Sequence, residues 1–160
     1  MPDSTNWHDH KVEQPKNDAE YLERMSHVIF VTGLNWRVLK NKWPGIKQAF
    51  KNFDIQKVAS FDELEIEELM MNPDVIHNLA KIRAIIANAR EVQKITQEFG
   101  SFENFLSDLR KAGEDVLREN IEKRFAFLGK ATTAIFLFSV GEHLPKAHKE
   151  WSERHKKNRP

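Results

Sequence analysis

Apolar residues along the 160-residue chain recur at spacings of three and four and nowhere alternate over the length of a strand, which predicts helix nearly throughout. Leu22, Met25 and Ile29 begin the first stripe, and residues 28–31 are apolar on every side, as in a helix buried at the centre of a fold. Gly33 interrupts that run. Ile46, Ala49, Phe50 and Phe53 form the next face, with Pro44 placed where a first helical turn tolerates proline. Asp54 stands as the N-cap of a short helix over 55–59, and Ser60 with Glu63 has capping-box spacing for another. After the turn chemistry of Asn72-Pro73-Asp74, Leu79, Ile82, Ile86 and Ala89 mark one face of a long helix ending near Gly100. Phe102, Phe105, Leu106 and Leu109 repeat the pattern behind Ser101 as their N-cap. Residues 110–123 are dense in charge, weakly apolar and broken at Gly113, and read as a solvated, partly helical connection. Over 125–140 the apolar pattern returns, with Gly129 dividing a short entry from a helix that begins near Thr132. The predicted fold class is all-α.

These stripes suit one folded unit, since 160 residues is about one domain. Hydrophobic residues make up 40% and charged residues 31%, which excludes disorder throughout, and eleven Phe with four Trp supply bulk for a core and a pocket. With no cysteine, disulfides, thiolate zinc sites, iron–sulfur clusters and a cysteine nucleophile are excluded. The most apolar stretch, 131–140, is far shorter than the roughly 20 residues that span a bilayer, so it reads as a buried helix and no membrane partner is expected. The polar N-terminus lacks the basic-then-apolar order of a secretory signal, which predicts a cytoplasmic protein. Formal net charge is +1 but uneven, because residues 143–160 carry six Lys/Arg against two Glu. The chain therefore divides into an N-terminal arm (1–20), a helical domain (21–142) and a basic C-terminal tail (143–160).

Four ordered blocks resemble one family. Trp7-His8-Asp9, followed by Pro15, Asp18, Leu22 and Met25, is similar to an aromatic-His-Asp segment near that family's N-terminus. Gly33-Leu34-Asn35-Trp36 with Val38-Leu39-Lys40 resembles its G-L-S-W and V-L-K, and Phe53-Asp54 with Lys57-Val58-Ala59 its F-D-x-x-K-V-A. Residues 81–90, K-I-R-A-I-I-A-N-A-R, resemble its K-I-x-A-I-I-x-N-A-R helix. Each block alone is weak, but together, at nearly constant spacing over about residues 7–141, they make the chain resemble the DNA-3-methyladenine glycosylase I family of helix-hairpin-helix DNA glycosylases.

The resemblance implies a helix-hairpin-helix domain with a cleft for a base rotated out of double-stranded DNA, a rotation whose cost is offset by stacking and hydrogen bonds in the pocket. Trp7 and Trp36 take the positions of the family's base-contacting aromatics, whereas a Trp in an arbitrary helical protein more often fills the core. Residues 127–133 are similar to the family's F-V-G-T-T hairpin, although the ordinary G-V-G signature is missing. There Gly129 is expected to turn with positive φ, so that the next helix's N–H groups, with Lys130, Thr132 and Thr133, hold a DNA phosphate; an isolated Gly-Lys reads more simply as a helix end beside a solvated lysine. Lys81, opening the K-I block, is a further DNA-binding candidate.

The chain departs from the family in its polar chemistry. The family's pocket glutamate falls on Val28 counting back from Gly33, or on Ile29 counting forward from Met25, and both are apolar. Base selection without that acceptor rests on shape and stacking. Of the family's Cys and His zinc ligands only His8 has a counterpart, with Lys146 near the position of a C-terminal His, so no metal and no cofactor are expected. Asp9 and Glu142 are the carboxylate candidates for catalysis. The implied function is a monomeric DNA N-glycosylase of base-excision repair that removes an alkylated purine, N3-methyladenine above all. The alternatives are a non-catalytic damage-binding descendant of the same fold and a helical interaction protein unrelated to DNA.

Overall fold

The computed structural model describes residues 13–157, with side chains as far as Arg154. Its elements are α1 (Asp18–Val31), α2 (Trp36–Ala49), α3 (Ile55–Ala59), α4 (Glu63–Met71), α5 (Leu79–Phe99), α6 (Phe102–Lys111), α7 (Glu114–Arg124), α8 (Lys130–Ser139) and α9 (Pro145–Lys157). Among the described residues there is no strand, in agreement with the period of the sequence.

Short polar side chains set most of the helix starts by accepting from the first free backbone N–H groups. Asn17, Asn35, Asp54, Asn78 and Ser101 cap α1, α2, α3, α5 and α6 in this way. The capping box before α4 is Asp62 with Glu65 rather than Ser60 with Glu63, because the Ser60 hydroxyl donates back to the Lys57 carbonyl at 2.7 Å and closes α3. Pro44 lies inside α2 and not in a first turn, since α2 already starts at Trp36.

Two clusters form the core, and only α1 and α5 contribute buried residues to both at length. Tyr21, Met25, Val28 and Ile29 of α1 join Val92 and Ile95 of α5 beneath α6, α7 and α8. Leu22, Phe30 and Val31 of α1 join Ile82, Ile85, Ile86 and Ala89 of α5 beneath α2, α3 and α4. The apolar-all-round segment of α1 is thus explained by neighbours on opposite sides. Between α2 and α3, Lys51, Asn52 and Phe53 take left-handed φ values of 55°, 55° and 57°, unfavourable by about 1–2 kcal/mol each for Lys51 and Phe53 and by less for Asn52, whose side chain suits this region. Stacking offsets part of that cost: the buried Phe53 ring lies 5.5 Å from Phe50 and 5.6 Å from Trp43.

The charged segment 110–123 is the main difference from the sequence reading, because most of it is helix α7. Leu117 and Ile121, one turn apart, are fully enclosed in the first cluster. Arg118 beside them is buried but paired, 3.3 Å from both Glu114 and Glu150. Two apolar positions therefore anchor a helix that composition alone reports as solvated. Glu114 also accepts from the backbone N–H groups of Lys146 and Ala147, both at 2.9 Å, and so fixes the start of α9, which occupies most of the basic C-terminal segment.

Replacing Ile121 by Ala should lower unfolding free energy by about 2–5 kcal/mol in denaturant titration, the ordinary cost of truncating an enclosed aliphatic residue. A change below about 0.5 kcal/mol would return this segment to the surface.

Candidate functional site

Three polar side chains of α5 each hold the backbone of a different segment. Lys81, in its first turn, donates from Nζ to the Thr32 carbonyl at 2.7 Å, and partial burial lowers its pKa below the usual lysine value. Thr32 ends α1, Gly33 follows with φ +77°, and Asn35 caps α2, so Lys81 ties down the tight Gly33–Trp36 turn. Asn88 is buried, and its amide makes two bonds to one residue: Nδ2 donates to the Ala126 carbonyl at 3.1 Å and Oδ1 accepts from the Ala126 N–H at 2.8 Å. Arg90 donates to the carbonyls of Ala59 at 2.9 Å and Phe61 at 3.0 Å. A buried Asn on an apolar helix face signals a required partner. Its identity was not readable, and the sequence assigned Asn88 and Arg90 no role.

Trp36 is the first residue of α2, half-buried against the second cluster, with the Lys40 ammonium 5.1 Å from its ring centroid. Two helical turns along α5, Asn88 positions the hairpin 125–129 that joins α7 to α8. Its left-handed residue is Phe127, with φ +61°, whereas Gly129 has φ −79° against the expected positive value. Gly129 instead caps α8 without a side-chain acceptor, so the first N–H groups of α8 face an exposed surface beside Lys130. Thr132 is half-buried. Thr133 is buried and donates its hydroxyl to the Leu128 carbonyl at 3.3 Å, which braces the hairpin from within.

Glu142 lies elsewhere, in a cleft of about 640 Å³ lined by Tyr21, Glu103, Arg110, Leu117 and Val140 among others. Both its oxygens accept from Arg110, at 2.9 and 2.5 Å. The Tyr21 hydroxyl donates to Glu103 at 2.7 Å; burial and that carboxylate push the phenol well above its ordinary range, while the hydrogen bond holds Glu103 below its own. Trp36 does not line this cleft, and Val28 and Ile29, each 1% exposed, lie in the first core cluster. Trp7, His8 and Asp9 lie outside the described residues. Among the described residues no cluster of His, Cys, Asp or Glu suits a metal ion, and Lys146 pairs with Asp115 at 2.8 Å. No described helix is long and apolar enough to cross a membrane.

The described residues, all helical with two helices joined by a braced five-residue hairpin, have the fold of 3-methyladenine DNA glycosylase I, on one structure of which they superpose with a TM-score of 0.72. The chain belongs to the methyladenine glycosylase family, whose model matches residues 1–135. The DNA-3-methyladenine glycosylase of Haemophilus influenzae is 28% identical over 155 residues, covering 84% of each chain. The 3-methyladenine DNA glycosylase I of Staphylococcus aureus superposes with a TM-score of 0.73 at 25% identity, covering 88% of this chain and 87% of that one. A tyrosine-to-phenylalanine variant of 3-methyladenine DNA glycosylase I, solved with 3-methyladenine, gives 0.74 at 26% identity over 91% and 92%.

Replacing Lys81 by Met separates two roles: if the ammonium serves only the Thr32 carbonyl, the slope of log DNA affinity against log salt stays unchanged, whereas a phosphate contact makes it smaller by about 0.9. Glu103 supplies a pH test. Its folded pKa is depressed, so its stabilising contribution is fully present above about 4.3 and is lost as pH falls through the lower folded value. Glu103→Gln should flatten the acid limb of stability against pH, and an unchanged limb would contradict the assignment.

Proposed function

We propose that this chain is a DNA N-glycosylase of base-excision repair that rotates an alkylated purine, N3-methyladenine, out of double-stranded DNA and hydrolyses its bond to the sugar. The observation that carries this reading is the placing of the Trp36 turn and the hairpin on one helix by Lys81 and Asn88, about 10 Å apart along its axis. One rigid helix can in this way hold a backbone phosphate at α8 while Trp36 meets the base. Membership of the methyladenine glycosylase family and the names of its curated relatives support the substrate.

Trp36, with Trp7, stacks on the extruded base, while Val28 and Ile29, enclosed in the first core cluster, leave the acceptor position beneath it apolar. The attached N3-methyladenine is cationic. Water attacks C1′, the C1′–N9 bond breaks, and its electron pair leaves with the base, which departs neutral as the water loses a proton. Charge on the base disappears along this path, so apolar surroundings favour the transition state over the bound cation. Of the two carboxylate candidates, Glu142 gives both oxygens to Arg110, which leaves Asp9 to take the proton from water. The protein works as a cytoplasmic monomer without a cofactor.

A second reading, a non-catalytic binder of damaged DNA, is favoured by the apolar Val28 and Ile29 at the acceptor position. Release of N3-methyladenine from methylated duplex DNA separates the two. Wild-type protein should release it well above the spontaneous rate, and Trp36→Ala should lower that release about ten- to a hundredfold through lost stacking. Tight binding of methylated DNA with release at only the spontaneous rate would instead establish the binder.

A further inference from the structure

Ten of the eleven phenylalanines are buried or half-buried, and Phe127 is the exception at 51% exposure. It is also left-handed, with φ +61°, a backbone conformation that disfavours any residue carrying a side chain. Glycine would remove both the strain and the exposed ring, yet Phe127 stands there, two residues before Gly129. The ring is held outward. On one side Asn88 bonds both backbone groups of Ala126; on the other Leu128 is 3% exposed and its carbonyl accepts from Thr133. Gly129, Lys130 and Ala131 are exposed next to it, so the hairpin presents one aromatic ring, one cation and a low-relief backbone.

We propose that Phe127 is a DNA-contacting residue whose ring packs on the apolar face of a deoxyribose, adjacent to the phosphate that Lys130 and the first turn of α8 attract. The proposal rests on the DNA-handling function above. A nucleic-acid backbone alternates anionic phosphates with apolar sugar faces, and this hairpin offers an exposed apolar ring and, three residues on, an exposed cation. The contact is independent of base sequence and releases no counterion. It therefore adds affinity without changing salt dependence, and a ring carried on a backbone braced at both neighbours leaves only side-chain freedom to be lost on binding.

Binding of duplex DNA across a salt series tests this with Phe127→Asn, which suits a left-handed backbone, and Phe127→Gly, which relieves it. Both variants should lose about tenfold in affinity at every salt concentration, giving lines parallel to the wild type, with melting temperatures unchanged or raised. Lys130→Ala should by contrast flatten the slope by about 0.9. Affinities within twofold of wild type in both variants would overturn the role of Phe127 alone. A loss of affinity accompanied by lower melting temperatures would make the residue structural and overturn it likewise. If wild-type protein binds no duplex DNA at low salt, the proposal and the DNA function fall together.

Discussion

Two hydrogen bonds between the Asn88 amide and the backbone of Ala126 fix where the hairpin stands relative to the rest of the molecule. Asn88 sits among Ile85, Ile86, Ala89 and Val92 on the buried face of α5. An amide in that setting costs about 1–3 kcal/mol when unpaired, so only a backbone segment offering one donor and one acceptor at this point is tolerated. Ala126 offers both, and α8 starts from there. Lys81 and Arg90 act by the same logic, so a single helix sets the positions of the Trp36 turn, the hairpin and the α3–α4 link. Apolar packing makes α5 stable, and its few polar side chains make it specific.

The C-terminal helix shows how the ends of such a fold are held in this chain. Lys146, where the resemblance places a metal-ligating histidine, is paired with Asp115 on the surface. That exposed pair is worth at most about 1 kcal/mol. The stronger restraint is Glu114, whose side chain is 8% exposed and which accepts from two N–H groups of α9 while pairing with the enclosed Arg118. Leu144 and Ala147 then close the first core cluster. Packing and one well-bonded carboxylate thus hold α9 on α7.

Period, caps and breaks were legible wherever apolar residues recur often. The long helix ending at Gly100, the cap Ser101 and the link between Asn72 and Leu79 all follow from side-chain chemistry that acts within a few residues. Helix α7 was not legible, since Leu117 and Ile121 are two apolar positions in a charged run whose buried Arg118 depends on Glu150, far along the chain. The reversal at 51–53 was hidden for a similar reason: its left-handed residues are Lys, Asn and Phe, and their strain is offset by rings elsewhere. At the site, Lys81, Gly129 and Thr133 could be named from the sequence, but not what each bonds, because those partners are backbone groups brought near by tertiary packing.

The central claim is that α5 holds the Trp36 turn and the hairpin in one working geometry, and Asn88→Ser tests it most directly. Serine is too short to span both Ala126 groups, yet it leaves room for water to satisfy them, so the fold survives while the fixed distance is lost. The rate of N3-methyladenine release from methylated duplex DNA should fall at least about tenfold, with the far-ultraviolet circular dichroism of the wild type retained. Release at the wild-type rate by this variant would contradict the account.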